Sequence, residues 1–253
     1  MENEIMKANT AAAEVAAPVE APCGFEDTDS SDIVIPRIKV INALSPERQD
    51  GVAEEGDVLN SLTKEKVNGK VFIPIKQYYS KIHWNPDRDA DPRIICMSRD
   101  GKIGQTSEGG KALCDSCAKC RFDNTKTGKD AQPQCTSYLN FLGFFAGDPM
   151  PVVLSFAKTN YNEGKKMISL AKAMRQDIWA YGYIVDSAKQ TKGRNSWFNI
   201  KVTMGNATAN EDALIARELY NAYKSMDLSV DYEDVATLSN DVPPVDANVA
   251  TEI

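Results

Sequence analysis

The sequence predicts a mainly β fold with some α: a five-stranded, OB-fold-like barrel carrying a zinc-binding insertion and a C-terminal helix. Three observations point there. Five β-branched and aromatic stretches alternate in period two through the middle of the chain. A helical period interrupts them once, between the third and the fourth. Five of the six cysteines crowd into the connection between the first and second. Strand, insertion, strand, strand, helix, strand, strand is the order of the OB barrel, whose face and loops bind oligonucleotides.

Each element has its own signal. "IVIPRIKVI" (33–41) is extended, and Pro36, with no N–H for a ladder, predicts an edge position. "NALSPERQDGVAEEGDVLNS" is turn-rich and leads into "KVFIPIKQYYSKIHW" (70–84), the first barrel strand. "TSYLNFLGFF" (136–145) and "PVVLSFAKT" (151–159) are the next two, joined through the Gly-Asp-Pro turn of "AGDPM". Met167, Leu170, Ala171, Met174 and Ile178 then recur at three and four, the apolar stripe of an amphipathic helix starting near Asn162. "IWAYGYIVD" (178–186) and "SWFNIKVTM" (196–204) return to alternation around the polar tip "SAKQTKGRN". Leu214, Ile215, Leu219, Ala222 and Tyr223 share one face of a last helix over 210–225.

Charge divides the chain into three. Residues 1–31 hold seven acids and one base, and residues 227–253 hold seven acids and no base. The net charge of -7 therefore hides a body of 22 acids and 28 bases, a net of +6. Both ends are poor in aromatics and rich in Ala, Pro, Asp, Val and Ser, which predicts disordered acidic tails flanking one domain over 32–226. Such a tail solubilises the body, competes for its basic face or docks partner proteins. The N-terminus has no basic region followed by an apolar run, and no stretch approaches the roughly 20 apolar residues of a membrane helix. The expected compartment is a reducing cytoplasm, with no membrane partner, where clustered thiols suggest metal before disulfides.

The insertion, about 94–136, contains Cys96, Cys114, Cys117, Cys120 and Cys135. Cys114-x-x-Cys117 places two thiolates on one tight turn, the spacing that lets both reach one tetrahedral ion. Cys96 and Cys135 complete a four-sulfur shell with equal gaps of 17 residues on either side of the pair. Cys120 is an alternative fourth ligand, because Cys117-x-x-Cys120 has the same spacing. A closed thiolate shell has no open position for water, so the expected cofactor is one structural zinc ion. A redox dithiol and unliganded thiols are the other readings. His83 is the single histidine of the chain; it could complete a Cys3His shell, or be a half-exposed packing residue at a strand end.

Nothing in the sequence recommends an enzyme. "DGKIGQTSEGGKA" lacks the spacing of a phosphate-cradling Gly-rich loop, and no carboxylate spacing singles out a metal pair. Aromatic and basic residues interleave instead. Lys76, Tyr78, Tyr79, Lys81 and Trp84 interleave along "KQYYSKIHW", with Tyr78 the candidate contact of the tyrosine pair; Trp179, Tyr181 and Tyr183 fall on one face of 178–186; Lys189, Lys192 and Arg194 crowd the hairpin tip, and Trp197 follows. Aromatics on which bases stack, set among cations, hold single-stranded nucleic acid at roughly 1–3 kcal/mol per stacked base. Barrel aromatics also serve as core, and that reading stands beside the other for each Trp and Tyr.

"IPRIKVINALSPE", "GDVLNS", "VFIPI" and "IHW", then a cysteine-containing insertion and "PVVLSFAKT", resemble a family of bacteriophage single-stranded DNA-binding proteins over about residues 33–204. The resemblance implies an OB fold, a place in phage DNA replication and recombination, and a cysteine pair followed by a Pro-Cys-like element. "CDSC" and "QPQC" match that pattern, and Cys120 is additional. The expectation is a protein that coats and protects single-stranded DNA without catalysis, in the bacterial host cytoplasm. Its acidic C-terminal tail would meet replication or recombination proteins, and homo-oligomerisation is compatible with the sequence. Two other classes remain: an interaction module inhibiting a host factor through its acidic tails, and a zinc-containing nuclease.

Overall fold

The computed structural model describes residues 34–87, 93–106, 114–120, 122 and 134–225. Both acidic ends, and much of the cysteine insertion, lie outside that set. Eight strands form one sheet: β1 (Arg37–Val40), β2 (Val58–Asn60), β3 (Val71–Trp84), β4 (Ile94–Ser98), β5 (Cys135–Phe145), β6 (Asp148–Ala157), β7 (Tyr181–Lys192) and β8 (Asn195–Ala207). Three helices accompany them: a single turn α1 (Pro46–Gln49), α2 (Tyr161–Met174) and α3 (Asn210–Tyr223).

The strand order is β2-β1-β6-β5-β3-β7-β8, with β4 paired to β3 beside it. β3 is long enough to serve two neighbours on one edge. Its start, at Val71 and Phe72, pairs with β7, and its end, from Lys81 to Trp84, pairs with β4, while β5 runs along the other edge. The sheet curls into a nearly closed barrel of seven to eight strands, compatible with an OB-like barrel. The five central strands and the intervening helix appear in the predicted order, as β3, β5, β6, α2, β7 and β8. The count of five is exceeded by β1, β2 and β4.

β1 is also not an edge strand. It pairs antiparallel with β2 and parallel with β6. Pro36 sits one residue before it, where it gives up no ladder donor and its carbonyl still accepts from the Val153 amide at 2.8 Å.

Side-chain amides and hydroxyls bridge the seam between the two ends of the sheet. The Asn42 side chain accepts from the Phe198 amide at 2.6 Å and donates to the Phe198 carbonyl at 3.3 Å, so one residue stands in for a strand along the outer edge of β8. Nearby, Ser187 Oγ donates to the Gly56 carbonyl at 2.5 Å and Asn68 Nδ2 to Asp186 at 2.8 Å. A second polar chain crosses four strands on the face away from the barrel cluster: Arg37 Nη1 donates to Ser155 Oγ at 2.6 Å, that hydroxyl to Asn140 Oδ1 at 2.8 Å, and Asn140 Nδ2 to Ser80 Oγ at 2.8 Å.

Apolar residues cover both faces of β5, which is why "YLNFLGFF" is buried without interruption from Tyr138 to Phe145. One cluster, including Phe72, Phe141, Leu154, Phe156 and Tyr183, fills the barrel and meets Met167 of α2. The other, including Ile73, Ile75, Leu142 and Phe144, packs under Ile215, Ala216 and Leu219 of α3. The buried face of α2 is Gly164, Met167 and Ile168; Leu170 and Met174, placed on its apolar stripe by the sequence, remain exposed, as does Leu214 on α3. Among the described residues no helix is long and apolar enough to cross a membrane.

Candidate metal centre and nucleic-acid interface

At the far end of β3 the register brings thiols together. His83 lies opposite Cys96 of β4 on one side and Cys135 of β5 on the other, so three donor residues form a row across three strands. Residues directly opposite one another share a face of the sheet, with Cβ atoms about 4.5–5.5 Å apart. The chain after β4 folds back over this row. Met97 and Gln105 exchange backbone hydrogen bonds at 2.8 and 2.6 Å, and the Asp100 carboxylate caps the turn between them by accepting from the Lys102 and Ile103 amides. Partial burial works against the Asp100 charge, but those amides and the Ser98 hydroxyl prevail and hold its carboxyl below the usual range.

Gly104 is required by close approach: a Cβ there would stand 2.7 Å from Cys96 Sγ. The Cys117 amide then donates to the Lys102 carbonyl at 2.7 Å, which anchors the next segment, a 3-10 turn over Cys117–Lys119. Cys96, Cys114, Cys117, Cys120 and Cys135 consequently line one cavity of about 20 Å³, together with His83, Lys81 and Gly104. That is room for a single small occupant. The donor set, thiols with one imidazole, is the chemistry zinc takes in structural sites. Among the described residues, however, no three His, Cys, Asp or Glu groups are arranged as a bound ion would need.

The β7–β8 hairpin is the second feature. The predicted nine-residue tip is mostly strand; β7 runs to Lys192, and the turn is only Gly193 and Arg194. Gly193 has a φ of +61°, the left-handed value a tight hairpin turn asks of its first central residue. Every residue from Lys189 to Ser196 is exposed, and residues 187–200 contain no acid. Alternation then sorts the side chains. Lys192 shares a face with Gln190, Trp197, Asn199 and Lys201, whereas Lys189 shares the opposite face with Phe198, its Nζ 5.9 Å from that ring. Lys189, Lys192 and Arg194 make no ion pair among the described residues. Trp197 is half-buried, and its indole N–H has no hydrogen-bond partner.

From Trp197 the same surface continues to Asn199, whose amide meets Thr159 at 3.3 Å, and to the start of α2. There Lys165 Nζ lies 5.2 Å over the Tyr161 ring. Burial and neighbouring Tyr79 push the Tyr161 hydroxyl up, and Lys81 pulls against them. Tyr79 is 46% exposed, and Lys81 lines the thiol cavity. A run of aromatic and cationic side chains thus connects the hairpin to the cysteines.

Other residues named from the sequence hold structural positions. Lys76 Nζ donates to the Tyr223 carbonyl at 2.9 Å, closing the C-terminus of α3. Tyr78 packs in the cluster beneath α3; burial pushes its hydroxyl up, with the Arg37 guanidinium opposing. Trp179 sits in a 3-10 turn, not on the strand, and packs on Tyr220 of α3 with ring centres 5.4 Å apart. Tyr183 is 2% exposed, inside the barrel, and has no face to offer a base. Tyr181 is half-buried at the start of β7, and Trp84 is half-buried with Arg93 over its ring at 5.6 Å. The exposed tyrosine of the "YY" pair is Tyr79, one residue from the one selected, and Tyr161, Lys165 and Lys201 drew no attention in the sequence.

Residues 6–234 match the family model described as Pam3 phage gp34-like protein. The chain belongs to this family. The matched span includes the whole barrel, the thiol cavity and the hairpin, so these are features of a Pam3 phage gp34-like protein and not of an appended module. The expectation of a phage protein holds at that level. No curated protein and no solved structure gives a significant match.

Proposed function

We propose that this Pam3 phage gp34-like protein binds single-stranded DNA and coats it during phage replication or recombination, without catalysis. The observation that carries the reading is the hairpin tip, exposed from Lys189 to Ser196 and without an acid from 187 to 200, with Lys192 and half-buried Trp197 on one face. In an OB barrel the oligonucleotide crosses the second and third strands between the loop after the first strand and the loop between the last two. The corresponding loops here are the cysteine insertion and the β7–β8 hairpin, and the run through Tyr161 and Tyr79 lies between them. Cations along that path track phosphates, and exposed rings offer stacking faces without sequence preference. One zinc ion in the thiol cavity would fix the insertion beside this path as a structural element. The acidic C-terminal segment, 227–253, would act on the same groove as a tethered competitor or on replication proteins as a docking arm.

The hairpin tests the proposal. A strand passing the Trp197 face meets Lys192 and Arg194 rather than Lys189. Replacing both with Ala should weaken binding to every single-stranded sequence alike. It should also lower the slope of log affinity against log salt by about 1.4, at about 0.7 per phosphate contact. An unchanged slope would mean that the hairpin points away from the DNA.

A further inference from the structure

We infer that His83 is itself a ligand of the metal ion in the thiol cavity, through Nδ1, so that the centre is three thiolates and one imidazole rather than four sulfurs. The inference rests on the metal part of the reading above and is independent of DNA binding. Its first ground is the register: His83 stands between Cys96 and Cys135 on one face, the central member of a three-donor row. Any ion bound by both flanking thiolates lies over the imidazole.

The second ground is an orphaned atom. His83 is 7% exposed, and its Nδ1 is buried with no hydrogen-bond partner. A buried nitrogen of this kind is stabilised by a proton donor or by a metal, and the thiol cavity that His83 lines supplies the second. Its ring is stacked on Phe122, 4.9 Å between centres and 26° between planes, which holds the plane of the imidazole.

Charge is the third ground. Three thiolates and a neutral imidazole around Zn²⁺ leave one net negative charge, which matches the one cationic residue, Lys81, that lines the cavity. Four thiolates would leave two. The cavity offers six donors for four positions, so two of the five cysteines are not ligands in this assignment.

X-ray absorption at the zinc edge of the purified full chain decides it. The expected shell is three sulfurs at about 2.3 Å and one nitrogen at about 2.0–2.1 Å. His83→Ala should lower zinc affinity in chelator competition by on the order of tenfold or more, and should shift the visible bands of the cobalt-substituted protein. A shell of four sulfurs, with a cobalt spectrum unmoved by His83→Ala, overturns the assignment while leaving the metal centre in place. Purified chain that holds no zinc overturns the assignment and the metal reading together. Affinity for oligo-dT, measured on the same preparation, judges the DNA reading separately.

Discussion

Asn42→Ala removes the one residue that bridges β1 to β8 through a matched pair of hydrogen bonds. Asn42 is 6% exposed and serves Phe198 twice, accepting from its amide at 2.6 Å and donating to its carbonyl at 3.3 Å. Each bond contributes about 1 kcal/mol net, and each Phe198 group left without a partner costs up to about 1–3 kcal/mol where water cannot reach it. Phe198 is half-buried, so water recovers part of that cost, and the expected destabilisation is about 2–3 kcal/mol. For a unit of this size that corresponds to a fall in melting temperature of roughly 4–12 °C. Asn42→Asp keeps the acceptor for the amide but sets a carboxylate against the Phe198 carbonyl, so it should be no better than Ala. Urea unfolding followed by tryptophan fluorescence measures both, with Trp197 next to the affected residue as a local probe. Asn42→Ala within about 0.5 kcal/mol of the native chain would refute the bridge.

Two further outcomes follow from the same geometry. Tyr79→Ala should weaken binding to single-stranded DNA by about 1–3 kcal/mol with little change in stability, whereas Tyr78→Ala, beneath α3, should chiefly lower stability; affinity titrations and urea melts separate them. Lys39, 4% exposed, is 2.5 Å from Glu47, and although burial opposes the Glu47 charge, hydrogen bonds from Lys39 and Lys64 hold its carboxyl below the ordinary value of 4.5. A carboxyl depressed in the folded state contributes stability that is complete above the unfolded value and is lost as pH falls through the folded one. The urea midpoint should therefore be level from neutral pH to about pH 5 and decline below about pH 4.5. Lys39→Met should cost about 2–3 kcal/mol at neutral pH, less than a fully broken buried pair because Lys64 remains, and should flatten the acid decline.

The central strands were legible because each is long and rich in β-branched and aromatic residues, as an alternation or, in β5, as a continuous apolar run covered on both faces. Pairing over distance was not. β2 is three residues whose partners lie elsewhere in the chain, and β1 acquires its parallel neighbour only when β6 folds beside it. No local pattern announces that a lone Asn will stand in for a strand.

The phase error at "YY" has a local cause. β3 carries an irregularity between Pro74 and Lys76 in its pairing with β5, so the alternation restarts there and the partner of Lys76 in phase is Tyr78, turned to the α3 cluster, while Tyr79 and Lys81 face out. Pro74 within an interior strand was the available clue, since proline there marks a bulge. Trp179 and Tyr183 lie on the predicted stretch, but Trp179 falls in the 3-10 turn before β7, packed on Tyr220, and Tyr183 faces the barrel interior. The five cysteines were readable by count and spacing. The sequence offers His83 as a Cys3His ligand or a packing residue, but its place opposite both Cys96 and Cys135 was not legible, because that is a property of three-strand register.

The most direct test of the account is a titration of the full chain against fluorescent oligo-dT, a duplex of the same length and the matching RNA, from low to physiological salt with Mg²⁺ present. The account predicts saturable binding of oligo-dT that is tighter than duplex binding by on the order of tenfold, weakens linearly in log salt and leaves the DNA uncut. Equal affinity for duplex and single strand, or no binding of oligo-dT even at low salt, would contradict it.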